Sequence, residues 1–181
     1  MRAGLRTASV GAAAVLALSI GQDVSADITG TIDATITLAS GCVINGANTA
    51  NGASATDFGT LNFGTHTTLF SSADSQVAGG VSGVEEQCTA GVAPRLVFQN
   101  GLHDGQGSGA GNRALGNGSG GYVTYNLFLD AGYATPIAIG GGVTLAANGS
   151  PQNVAVYGRA YGASGLPVGT YNDVITVLLE L

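Results

Sequence analysis

Few residues in this chain have a type and spacing suited to covalent chemistry. The two histidines, His66 and His103, are isolated in loop-like sequence, where ordinary surface histidines are expected rather than general bases or ligands. Residues 116–121 read Gly-Asn-Gly-Ser-Gly-Gly and formally match a dinucleotide-binding turn. The pattern that follows is a strand, so no helix N-terminus awaits a phosphate. No nucleophile elbow of the Gly-x-Ser-x-Gly type is present. Glu85 and Glu86 form an acidic pair next to Cys88, but adjacent strand residues point to opposite faces, so solvated charge is expected. Asn117-Gly-Ser119 and Asn148-Gly-Ser150 fit glycosylation sequons and read as turns. No catalytic constellation emerges, and an enzyme is not expected.

Cys42 and Cys88 are the only cysteines. Two thiols without a neighbouring histidine make a poor metal set, and the Cys-x-x-Cys spacing of a redox site is absent. What precedes them decides their expected state. Arg2 and Arg6, an apolar run at 11–20 and Val24-Ser25-Ala26 have the layout of a secretory signal peptide over residues 1–26. In an oxidising compartment one disulfide is the default. It would close a loop of roughly 45 residues and contribute on the order of 3–4 kcal/mol in the chain-entropy account.

Beyond residue 26 stand three basic and ten acidic residues, a net charge of −7, and no lysine occurs. That balance argues against a nucleic-acid partner, which needs clustered cations. No cofactor, metal or small-molecule substrate is indicated by any motif.

The elements that must position these residues are strands. Asp27–Leu38 (DITGTIDATITL) places Ile28, Gly30, Ile32, Ala34, Ile36 and Leu38 on one face and only polar side chains on the other. This period of two, with β-branched Ile and Thr, predicts a strand with one buried face. Such a strand can complete its own sheet or pair with another molecule's open edge. Thr170–Leu181 alternates in the same way, with Tyr171, Ile175, Val177, Leu179 and Leu181 sharing a face.

Between them, Val81–Thr89, Val92–Gln99, Tyr122–Asp130, Ile137–Ile139, Val143–Ala146 and Val154–Tyr161 read as strands. Phe58–Gly64 alternates weakly, with Leu61 and Phe63 as core contacts. Pro94 belongs at a strand's start or edge. Residues 45–57 read as a loop, and 65–80 as a connection or weak strand. Residues 101–121 hold nine glycines and predict a mobile loop. Asn-Gly pairs, such as Asn45-Gly46, are turn signals. With about seven strands and no amphipathic helix, the fold class is all-β, a sandwich or a barrel.

The order of several segments resembles the spore coat protein U family, which includes the pilins of archaic chaperone–usher pili. They are ITGTIDATITLASGC at 28–42, FGTLNFG at 58–64, Cys88, Arg113-Ala-Leu115, Tyr125–Asp130 and Gly169–Asp173. The resemblance implies an incomplete immunoglobulin-like β-sandwich of six to seven strands that lacks its C-terminal strand. Residues 1–26 would be the signal peptide, 27–38 the donor strand and 39–181 the pilin domain.

It further implies a secreted pilus subunit that polymerises head to tail with identical subunits, after a periplasmic chaperone and an outer-membrane usher have handled it. Adhesion and biofilm growth at the cell surface would follow. Ile28, Ile32, Ala34 and Ile36 would fill pockets in the next subunit, with Gly30 as the small member of that face. The acceptor groove would be edged by Tyr171, Ile175, Val177, Leu179 and Leu181. The alternatives are a self-contained secreted or spore-coat structural protein that does not donate a strand and, more distantly, a sugar-binding β-sandwich.

Overall fold

A computed structural model describes residues 28–181. The expected signal peptide and Asp27 lie outside the described residues. The chain divides into two units, residues 1–37 and 38–181.

In the first unit, residues 28–37 form no strand and are exposed throughout. Ile28, Ile32 and Ile36 are 99%, 97% and 81% exposed. The alternation at 28–38 predicts a strand, and here that strand has no partner. A strand needs a second ladder to satisfy its backbone, and an apolar face alone does not provide one.

The second unit is all-β, with twelve strands and no helix among the described residues. Its open antiparallel sheets agree with an immunoglobulin-like sandwich. In the first sheet, β1 (Gly41–Ile44) and β2 (Ala47–Ala50) form a hairpin. The turn is Asn45-Gly46, with φ of 47° and 82°, the two left-handed positions that a two-residue hairpin requires. On its other side β1 pairs with β4 (Val84–Cys88), which pairs in turn with β10 (Gln152–Val154).

The second sheet runs β3 (Ser72–Gln76), β11 (Tyr157–Tyr161), β7 (Tyr122–Phe128) and β6 (Arg113–Gly116), with β8 (Pro136–Ile137) also on β7. The third runs β12 (Val177–Glu180), β5 (Arg95–Phe98) and β9 (Gly141–Thr144). One core cluster draws on all three sheets: Val84 and Val154 from the first, Val123, Tyr125 and Leu127 from the second, Leu96 and Phe98 from the third. Pro94 immediately precedes β5, where its missing N–H costs no ladder bond.

Several expectations are corrected. The loop expected at 45–57 contains β2, whereas the weak strand allowed for 65–80 is present as β3. Phe58–Gly64 is no strand, and a single bridge joins Thr60 to Ala78. Nevertheless Leu61 and Phe63 pack on the core as expected. Val154–Tyr161 is two strands in different sheets: residue 154 ends β10, Val156 is buried in the crossing, and β11 begins at Tyr157. One unbroken alternation, with 154, 156, 158 and 160 all buried, hides such a change of sheet because both halves face one core.

The glycine-rich stretch 101–121 is not simply a mobile loop, since it contains β6, paired to β7 from Arg113 to Gly116. Ahead of β6 the chain lies flat on β7. A Cβ on Gly109 would collide with Thr124 Oγ1, and one on Gly111 with the backbone of Tyr125. Asn126 holds this stretch through Asn112 N–H, which donates to its Oδ1 at 2.8 Å. The glycines there permit close approach.

Candidate functional site: a half-covered groove

From Tyr171 to Leu179 the odd positions are half-buried and the even ones exposed. Tyr171, Ile175, Val177 and Leu179 pack against the core cluster, but none is fully covered. Leu181 is 45% exposed. Ile175, Val177, Leu179 and Leu181 border a cleft of ≈ 840 Å³ within the second unit, whereas Tyr171, expected at the groove edge, does not line it. Its deep surface is made by fully buried side chains, namely Ile44, Val84, Phe98, Tyr125, Leu127 and Val156. Its exposed margins come from two segments, 49–61 and 173–181. The deep surface is apolar because the inward faces of the sheets converge on it. β12 bonds to β5 on one edge only. Its second edge carries backbone donors and acceptors without a ladder partner among the described residues.

The segment leading into β12 is pinned at several points. Asn172 exchanges both backbone hydrogen bonds with Gly116, each 2.9 Å. Thr176 N–H donates to Asn100 O at 3.1 Å, and Gln99 N–H donates to Thr176 O at 2.8 Å. Tyr125 O–H donates to Asp173 Oδ2 at 2.7 Å, and Leu102 N–H donates to Oδ1 at 2.8 Å. Burial, reinforced by the Asp173 carboxylate, pushes the Tyr125 phenol well above its ordinary range, so it stays a donor.

Arg113 lies opposite Tyr125 in the ladder and is 1% exposed. It donates to Gln99 O at 2.7 Å and to Phe98 O at 3.2 Å. Arg113-Ala-Leu115, Tyr125–Asp130 and Gly169–Asp173 are separate in sequence, and residues from all three converge here.

A family model, the Spore Coat Protein U domain, matches residues 28–178. The chain belongs to the spore coat protein U domain family. Among solved structures, it is similar to a chain of the CsuC–CsuE complex, described as a chaperone–tip adhesion subunit pre-assembly complex from archaic chaperone–usher Csu pili of Acinetobacter baumannii. The identity is 18%, the TM-score 0.44, and the match covers 80% of this chain. This chain spans 40% of the length of that one. A search of curated proteins found no match.

In this spore coat protein U domain, Cys42 and Cys88 form a disulfide across directly opposed positions of β1 and β4. With Ile44 they make a second buried cluster, against which Phe58 and Leu179 pack. The disulfide therefore underlies the groove beside β12. Glu86 joins the two sulfurs within 4.8 Å, but disulfide-bonded sulfurs offer no thiolate to a metal.

Glu86 corrects the sequence reading: it is not solvated but 1% exposed. Alternation along β4 puts Val84, Glu86 and Cys88 inward, and that signal was legible. Asp173 was legible for a similar reason, as the one charged residue on the apolar face of 171–181. Arg113 had no such signal.

The remaining candidates are structural. Asn117 Oδ1 accepts from Ser119 N–H and Gly121 N–H, each 2.9 Å, so the 116–121 motif is the turn between β6 and β7. Asn148 Oδ1 accepts from Ser150 N–H in a similar turn. His66 Nε2 lies 2.6 Å from Phe63 O, and the ring tilts against Phe70. His103 packs beside Tyr122. Arg95 and Arg159 are committed to Glu180 and Asp74.

Proposed function

We propose that this protein is the structural subunit of an exported bacterial pilus, assembled by strand donation and displayed at the cell surface for adhesion and biofilm growth. Residues 27–37 of one subunit enter the groove of the next, with Ile28, Ile32, Ala34 and Ile36 as anchors. The single observation that carries this reading is the half-covered groove alongside the unpaired edge of β12. A sandwich short of one strand leaves both an apolar cleft and a row of unsatisfied backbone groups. A strand laid against β12 would satisfy both at once.

The exposed alternating segment 28–37 has the matching pattern. Each large apolar side chain transferred into the groove would contribute roughly 1.5–3 kcal/mol. Contact of this kind is heterologous and does not close, so it builds a fibre rather than a ring. Before assembly the groove needs a temporary occupant, which is the part a periplasmic chaperone would play, with an outer-membrane usher exchanging it for the next subunit's strand.

The test is deletion of residues 27–37. The shortened subunit should accumulate bound to its chaperone and form no fibres. The full-length protein should run as a ladder without boiling and collapse to one band on heating. A shortened subunit that still assembles would refute donation.

A further inference from the structure

Strand donation leaves one buried group without a role. Among the described residues Glu86 sits inside the first sheet with no cation in contact, since Arg95, Arg113 and Arg159 are all held elsewhere. Its Oε1 accepts from Gln152 Nε2 at 3.0 Å. Gln152 is fixed in turn by the backbone of Ala146, through two bonds of 2.8 Å. Oε2 lies 3.0 Å from Cys88 Sγ. A disulfide sulfur has no proton to give, so a hydrogen bond at this contact requires the proton on the carboxyl group.

Among the described residues the facing elements supply no other titratable neighbour. β1 offers Cys42 and Ile44, β10 offers Gln152, and β12 offers Leu179. Glu85 lies beside Gly80, and Glu180 pairs with Arg95.

We propose that Glu86 guards the Cys42–Cys88 disulfide against reduction by small thiols. Cys42 borders the groove, and both cysteines line a second hollow outside it. The Glu86 carboxylate stands against Cys88, which turns an incoming thiolate toward Cys42. Such a thiolate attacks Cys42 Sγ. A new bond forms between the reductant sulfur and Cys42, the Cys42–Cys88 bond breaks, and the electron pair leaves on Cys88 Sγ. That sulfur is the one beside Glu86. With Glu86 ionised, the departing charge grows against a buried carboxylate, and cleavage is slow. With Glu86 protonated, its O–H passes the proton to the leaving sulfur, and cleavage is faster. Burial raises the Glu86 pKa, so the change between the two regimes falls above the usual carboxylate range.

The experiment compares the full chain with its Glu86→Gln variant under excess dithiothreitol. Free thiols are counted over time, and each rate is divided by the thiolate concentration at that pH. At about pH 8 the variant should be reduced about threefold faster, because a one-unit pKa change on the leaving sulfur is only partly expressed in the rate. The normalised wild-type rate should climb as pH falls through the Glu86 titration, while the variant stays flat. In denaturant the two proteins should react alike.

Equal rates at about pH 8, or a difference that survives unfolding, would overturn the proposal. Where Glu86→Gln yields no folded protein, the wild-type profile decides alone, and a flat normalised rate counts against it.

Discussion

Residues 28–38 and 171–181 carry the same period-two pattern, yet the structure treats them differently. The apolar side chains of the first are exposed, with Ile28 and Ile32 almost fully so. Those of the second are half-buried against a core that extends beneath them. The second stretch is also held by the backbone of Gly116 and Asn100, by Tyr125 and by β5. The first has no ladder at all. Alternation therefore specifies a strand's faces without specifying its partner. Half-burial along β12 is the more informative observation, because a complete sandwich would cover that face.

The largest effect that sharpens this contrast is expected at Ile32. Ile32→Asp should abolish fibres, since the carboxylate would be desolvated without a partner in the groove. It should leave the urea midpoint of the subunit unchanged within about 0.5 kcal/mol, because the side chain is exposed there. Normal fibres seen by electron microscopy would remove Ile32 from the anchors.

Changes at the second stretch, or in the framework beneath it, should instead register in the subunit itself. Arg113→Met strips the donor from the carbonyls of Phe98 and Gln99, and denaturant unfolding should show a loss of about 2–3 kcal/mol. Tyr125→Phe removes the bond to Asp173, with an expected loss of about 1.5–2 kcal/mol. Leu179→Ala should cost about 1 kcal/mol, because the side chain is only half-buried, and should also weaken fibre assembly. A Leu179→Ala subunit as stable as wild type would break the contrast, since both stretches would then be mere surface.

The smallest effect concerns pH. The Glu86 carboxyl has a raised pKa in the fold because burial disfavours its charged form. Its contribution is fully present below the ordinary carboxyl value of 4.5 and is lost as pH rises through the raised one. Wild type should therefore lose stability with rising pH relative to Glu86→Gln, and the two urea midpoints should differ more at about pH 8 than at about pH 4. A constant difference across that range would mean that Glu86 does not titrate there.

The sequence alone determined the all-β class, the inward faces of the C-terminal segment, the turn at Asn45-Gly46 and the cysteine pairing. Each depends on local periodicity, turn stereochemistry or the count of a residue type, and none needs a distant contact. It resolved about seven of the twelve strands, because strands of two to four residues carry too little periodicity to stand out.

Tertiary structure decided the rest. Only the fold could split 152–161 between two sheets, lay the glycine-rich stretch on β7 and bury Arg113 against two carbonyls; alternation along β4 pointed Glu86 inward, and the fold set it against the disulfide. Those outcomes depend on which segments meet across long sequence separations. Burial of a charge is set by its neighbours in space, and residue type alone points to solvent.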